Sequence, residues 1–278
     1  MIKIQIKKQN ILDVDFTINE GDFIALSGVS GSGKTTLLRV LAGLESAEAN
    51  IEVNNEIWQS KKTNLAVQKR QIGFVFQDYA LFENMSVLQN LYFVKKDEKL
   101  ANRLLEITEL TELKNRLPKT LSGGQKQRVS LCRAMMREPK LLLLDEPLSA
   151  LDSQMREKLQ DEILTLHKEF KTTTIMVSHD PSEIYKLSSR VIVLENGKVI
   201  NDGSPKKVLL QMKGSQKFTF SGKILDIKKV DVIYVAIIAI GQQIVEIVIN
   251  KSELNYLKIG QEITISTKAF TPTITPKS

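Results

Sequence analysis

The segment GVSGSGKTT, Gly28 to Thr36, limits the possible folds of this chain more than any other. It fits the pattern G-x-x-x-x-G-K-[ST], follows the apolar run DFIALS and opens a helix-forming run. A strand, a glycine-rich loop and a helix in that order imply an α/β fold, with the loop at the carboxyl end of a buried strand. The glycines let backbone N–H groups wrap an anion, and the helix N-terminus adds a positive end. The spacing assigns Gly28, Ser30, Gly31, Ser32, Gly33, Lys34, Thr35 and Thr36 to a nucleotide-phosphate site. Lys34 would supply charge to the β and γ phosphates, and Thr35 a hydroxyl to Mg²⁺.

The rest of the chain agrees with a parallel sheet. IKIQIK and LDVDFTI alternate like strands, a helix is expected over about Lys34–Leu44, and IEV-NN-EIW reads as a hairpin turning on Asn54-Asn55. Strands are expected at Ile72–Phe76, Leu141–Leu144 and Thr173–Ser178, and helices at Gln125–Arg137, Ser153–Phe170 and Pro181–Leu187. Asp78–Pro118 reads as mostly helical, and Val191–Leu194 pairs with Lys198–Ile200 over Asn196-Gly197. Buried strands alternating with helices make a parallel α/β sheet. After Lys213-Gly214-Ser215 the pattern changes to short β runs with turns expected at Gly222, Gly241 and Gly260. The expected division is 1–213, holding a helical subdomain at about 78–135, and a small all-β domain at 214–278.

Four further features carry chemistry. LLLLDEP ends a buried strand on two adjacent carboxylates: Asp145 suits Mg²⁺, and Glu146 suits the polarisation of an attacking water. Gln77 closes the strand IGFVF, where it can reach the metal or that water. His179 ends TTTIMVS at the sheet edge where ligands gather in such folds, whereas His167, on a helix face, reads as exposed and uninvolved. LSGGQKQRVS is a second anion cradle, with Ser122, Gly123, Gly124 and Gln125 just ahead of or within a helix start.

Charge and composition narrow the partners. The net charge is +7, but the lysines are scattered and not interleaved with aromatics, which speaks against nucleic acid. The apolar run Val232–Ile240 is too short for a membrane helix, and the N-terminus reads as a strand and not as a signal peptide. The single cysteine, Cys132, excludes an internal disulfide and reads as a small buried hydrophobe on a helix.

The set GVSGSGKTT, FQDYALF, LSGGQ, LLLLDEP, SALD and VSHD, in this order over Ile2–Lys207, resembles the nucleotide-binding subunit of an ABC transporter. The resemblance implies ATP and Mg²⁺ as ligands, with Thr35, Gln77 and Asp145 on the metal and Glu146, His179 and Gln77 in hydrolysis. It implies a head-to-tail homodimer in which Ser122, Gly123, Gly124 and Gln125 act in trans on the γ-phosphate of the other copy, with Asp152 of the D-loop coupling the two sites. The family's usual aromatic under adenine is missing from the first strands, since Phe16 falls in a core strand. The family often has proline where Glu83 stands.

The implied partners are integral membrane permease subunits and an extracytoplasmic solute-binding protein, which places the chain on the cytoplasmic face of the inner membrane. Tyr79, Leu81, Phe82 and Met85 read either as core of the helical subdomain or as a groove for a short permease helix. The tail, through SGKILDI and LKIGQEITISTKAF, resembles the OB-like TOBE or Mop accessory domain of import ATPases. Within that group the chain looks most like molybdate import ATPases, with sulfate, polyamine and sugar importers as alternatives. FTFSGKI lacks the serine-, arginine- and asparagine-rich segment of oxyanion-binding tails, so dimer support is the expected role. An exporter ATPase, or an ABC ATPase outside transport, forms a second class, set apart by the β-tail and by the lack of tandem cores or coiled-coil insertions.

Overall fold

The computed structural model describes residues 1–211, 217–230, 233–241 and 243–268. The chain divides into two compact units, Met1–Leu209 and Leu210–Ser278. The domain boundary expected at 213/214 lies outside the described residues.

The first unit opens with β1 (Ile2–Lys8) and β2 (Leu12–Ile18), paired antiparallel with Ile4 opposite Phe16. Their alternation buries Ile2, Ile4, Ile6, Leu12, Val14, Phe16 and Ile18 on one face. β3 (Phe23–Ser27) leads through the glycine loop into α1 (Lys34–Ala42). β4 (Glu48–Val53) and β5 (Glu56–Gln59) complete an antiparallel sheet in the order β2-β1-β4-β5. Asn54 and Asn55, at φ 49° and 65°, make the expected left-handed two-residue turn.

α1 ends on a buried guanidinium. Arg70, fully buried, donates from Nη1 to the Val40 and Leu41 carbonyls at 3.1 and 2.7 Å and from Nε to Leu65 O at 3.1 Å. Its Nη2 reaches Gln59 Oε1 and Asn64 Oδ1. It therefore gives Leu41 O a donor at the helix end and adds a second to Val40 O, which also accepts from Gly43 N–H. Arg70→Met is expected to lower the unfolding free energy by about 3 kcal/mol, since several buried acceptors lose their partner together. Denaturant titration checks this, and a loss under about 1 kcal/mol would mean that water replaces the guanidinium.

β6 (Ile72–Val75) lies in the second sheet, to which β3 also belongs. Next come α2 (Val87–Tyr92), α3 (Glu98–Ile107) and α4 (Gly123–Met135), then β7 (Leu141–Asp145) and α5 (Ser153–Phe170). β8 (Thr173–Val177), α6 (Pro181–Leu187), β9 (Arg190–Glu195), β10 (Lys198–Gly203) and α7 (Pro205–Gln211) follow. The sheet order is β10-β9-β3-β8-β7-β6, parallel except for the edge strand β10. β7 and β8 are buried at every residue, as strands covered on both faces must be. The carboxyl ends of β3, β7 and β8 therefore deliver Gly28, Asp145 and Ser178 to one edge.

Asp78–Pro118 is less helical than its sequence suggests. Residues 78–86 form a loop, because the buried Asn90 side chain supplies the bonds a helix would have made. Its Oδ1 accepts from Phe82 N–H, and its Nδ2 donates to Phe82 O, Met85 O and Ser86 O. Ser86 then starts α2 with a capping box to Gln89. α4 begins two residues earlier than expected, with the same device between Ser122 and Gln125. His167 is not exposed: it is half-buried, edge-on to Phe23 at 5.2 Å, with Nδ1 3.1 Å from Thr174 Oγ1, and burial lowers its pKa. Cys132 is fully buried as expected, 3.1 Å from Thr108 Oγ1, and burial pushes its thiol up to about 12.

The second unit holds β11 (Lys217–Val230), β12 (Ile233–Ile240), β13 (Gln243–Ile249), a one-turn α8 (Lys251–Leu254) and β14 (Glu262–Lys268). The strands are antiparallel in the order β13-β12-β11-β14, around Ile224, Ala236, Ile238 and Ile249. Gly241 and Gly260 sit in turns at φ 58° and 85°. Gly222 does not turn: it lies inside β11, where an added Cβ would come within 2.7 Å of Ile238 Cγ2 and 2.8 Å of Ala239 O. The glycine there answers to close packing and not to chain reversal. Among the described residues no helix is long and apolar enough to cross a membrane.

Candidate nucleotide site

The glycine loop is pressed between neighbouring strands. A Cβ on Gly28 would stand 2.1 Å from the Leu194 carbonyl oxygen, and one on Gly33 would stand 2.7 Å from Leu12 Cδ2, with φ of 142° and 96°. Only glycine fits either position. Lys34, largely buried, lies over the loop, with Nζ donating to Gly28 O at 2.9 Å, Val29 O at 2.8 Å and Ser32 Oγ at 3.4 Å. Burial lowers its pKa, against the raising pull of Glu146 and Asp145.

A cavity of about 520 Å³ opens beside this loop, lined by Ile11, Gly28, Ser30, Gly31, Gly33, Lys34, Thr35, Thr36, Glu146 and His179. The site thus gathers residues from the β1–β2 turn, the glycine loop and the ends of β7 and β8. Ser32 is buried with its hydroxyl turned towards Lys34, so only its backbone can serve an anion. Thr35 Oγ1 donates to Asp145 Oδ1 at 3.1 Å. Burial raises the Asp145 pKa, the Thr35 bond opposes that shift, and the Glu146 charge adds to it. A hydroxyl and a carboxylate in contact are hard oxygen ligands that fit Mg²⁺, and a cation there would offset the crowding of Asp145 against Glu146.

Glu146 sits at φ 48°, a left-handed conformation that costs about 1 kcal/mol or more for such a residue. That turn swings its carboxylate away from Asp145 and onto the cavity wall, 3.9 Å from His179 Nδ1. Ser149 holds the turn by donating Oγ to the Glu146 carbonyl at 3.0 Å. Gln77 is exposed beyond β6 and does not line the cavity. Phe16 is 6% exposed within the core, so it cannot face a base, while Ile11, 42% exposed, forms the apolar wall. Sequence reasoning missed Ile11 because only the fold brings the β1–β2 turn beside the loop.

Ser122, Gly123, Gly124 and Gln125 do not line this cavity either. Ser122 Oγ accepts from Gln125 N–H at 3.3 Å and Ser122 N–H donates to Gln125 Oε1 at 2.9 Å, leaving the Ser122 hydroxyl proton free to donate. Gly124 lets α5 approach: an added Cβ would be 2.8 Å from Met155 Sδ. Asp152 caps α5, accepting from Met155 N–H at 3.0 Å. The residues after Gln77 divide in role. Leu81 packs against the helical core, whereas Phe82 meets exposed Phe93 in a tilted pair at 4.5 Å, with the Arg133 guanidinium 5.5 Å from the Phe82 ring.

A glycine loop under a buried lysine, a Thr–Asp pair for Mg²⁺ and a carboxylate on the opposite wall define a P-loop ATPase site. The sequence profile described as "ABC transporter" matches residues 11–149, and the chain belongs to that family. It carries the family's ATPase domain, which takes ATP with Mg²⁺. It is 41% identical over 229 residues to the sulfate/thiosulfate import ATP-binding protein CysA of Vibrio cholerae, covering 78% of this chain and 60% of that one. It is 42% identical over 207 residues to the spermidine/putrescine import ATP-binding protein PotA of Haemophilus influenzae, covering 71% and 55%. The chain therefore spans about 60% of the length of the first of these relatives and somewhat less of the second. The dimeric post-hydrolysis structure of an ATP-binding cassette with ADP and Pi superposes with a TM-score of 0.63 at 30% identity, over 74% of this chain and 99% of that chain.

Proposed function

We propose that this chain is the ATP-hydrolysing subunit of an ABC importer for a small oxyanion, acting as a head-to-tail homodimer. The observation that carries the reading is the separation of two anion cradles. The glycine loop faces Glu146 and His179 across one cavity, and the LSGGQ cradle lies outside it with a free hydroxyl donor. A cradle without an anion in its own chain finds one on a second copy, so ATP closes the dimer and hydrolysis opens it. Glu146 would polarise the attacking water, His179 would face the γ-phosphate, and Gln77 would join the metal shell once ATP is bound.

The printed names of the relatives favour sulfate or thiosulfate over molybdate as the oxyanion. The similarity to a spermidine/putrescine import protein makes a polyamine the second reading. The permease would dock on the face carrying Phe82 and Phe93, where exposed aromatics suit a short apolar helix. The chain would then sit at the cytoplasmic side of the inner membrane, with a solute-binding protein on the far side. The Leu210–Ser278 unit would be a TOBE-like, OB-like accessory domain that supports the dimer.

Uptake measurements test this. Cells lacking this chain should lose accumulation of labelled sulfate or molybdate, and a copy carrying Lys34→Ala should not restore it. Intact uptake of both anions with loss of putrescine would install the polyamine reading instead.

A further inference from the structure

Beyond the groups that line the cavity, we infer that Arg156 is a positioning residue that locks the D-loop to the turn bearing His179. The inference rests on the roles given above to Glu146 and His179. Arg156 projects from the first turns of α5 and is only one-third exposed. Its Nη2 donates to the Leu151 carbonyl at 3.2 Å, on the D-loop, and its Nη1 donates to Asp180 Oδ2 at 3.3 Å. Its Nε is buried without a hydrogen-bond partner and stands 3.6 Å from Glu183 Oε1 in an ion-pair contact.

Those contacts converge on one peptide. Ser178 Oγ donates to Glu183 Oε2 at 2.6 Å and accepts from Asp180 N–H at 3.1 Å, so the chain on both sides of His179 is held. Asp180 Oδ1 also accepts from Ser182 N–H at 2.7 Å, which fixes the start of α6. The guanidinium thus joins the loop after Glu146 to the N-cap and first turn of α6, which the Ser178 hydroxyl ties to the end of β8. A small hollow of about 60 Å³ between Glu146, Ser149, Arg156, His179 and Glu183 lies beneath this junction. Arg156 does not line the nucleotide cavity. Its planar fork reaches several acceptors in fixed geometry, which a lysine ammonium cannot do. A D-loop shift on dimer closure is therefore passed to His179 through Arg156.

Steady-state hydrolysis tests this. Arg156→Gln is expected to lower kcat about tenfold or more while KM for ATP stays within about twofold, since misplacement affects the chemical step and not the binding loop. Asp180→Ser keeps a good helix cap but is too short to reach the guanidinium, and it should give a similar kcat loss. The double variant should be no worse than the worse single one, because both cut the same link. Arg156→Lys should retain an intermediate kcat, and it carries the test if Arg156→Gln does not fold. Additive losses, an undiminished kcat in Arg156→Gln or in Arg156→Lys, or a matching rise in KM would overturn the inference. Failure of the underlying reading shows separately, as wild-type turnover by His179→Ala, which leaves every Arg156 contact in place.

Discussion

Glu146→Gln is expected to bind ATP and Mg²⁺ as the parent does and to lose hydrolysis by about a hundredfold or more. The amide has the shape of the carboxylate but cannot take a proton from water. Nothing in the phosphate grip is touched: Lys34 keeps its bonds to Gly28 O and Val29 O, and Thr35 keeps Asp145. The left-handed backbone at residue 146 suits glutamine no worse than glutamate, so the turn should persist. With hydrolysis blocked, the closed form accumulates, and size exclusion with ATP should show a dimer that the parent shows only transiently. Turnover within about tenfold of the parent would move the base to another group, with His179 the nearest at 3.9 Å.

Gly123→Asp should leave ATP binding by the single chain intact and abolish both ATP-driven dimerisation and hydrolysis, the latter by about a hundredfold or more. The substitution acts by charge and not by disturbing the fold. Gly123 is exposed, its φ is not in the left-handed region, and an added Cβ meets only the Tyr79 hydroxyl, at 3.2 Å. An aspartate in the first turn of α4 even suits the helix dipole. Set against a γ-phosphate, however, the same carboxylate is repulsive in a partly dry interface. Equilibrium binding of a fluorescent ATP analogue, beside light scattering, separates the two effects. Loss of binding by the single chain would mean that LSGGQ serves its own nucleotide.

Much of the site could be read from local sequence, because its chemistry is carried by short motifs. GVSGSGKTT, LLLLDEP and the strand end at Ser178 each place their residues through one strand and one turn. The sheet pairs them in parallel, so their ends meet. What stayed hidden depends on contacts distant in sequence. Asn90 removes a stretch of expected helix by bonding a loop that lies up to eight residues before it. Gly222 reads as a turn until β12 is seen to press against it. His167 reads as exposed until Phe23 and Thr174 cover it from the sheet. Nothing around Arg70 in the sequence marks it as the end of a helix that lies about thirty residues earlier in the chain. Arg156 and Ile11 gain meaning only from what stands beside them.

The buried thiol gives the protein a built-in reporter of its own opening. Cys132 is the one cysteine of the sequence, it lies on the helix that begins in the signature motif, and it is sealed against Thr108 of the segment after α3. A thiol held near pKa 12 with no exposed surface is unreactive in the closed packing. An alkylating reagent can therefore reach it only when these helices separate. Its modification rate reports the population of those open states where reclosing outpaces the reagent, and the opening rate itself where the reagent is faster, in the unaltered protein and with no engineered label.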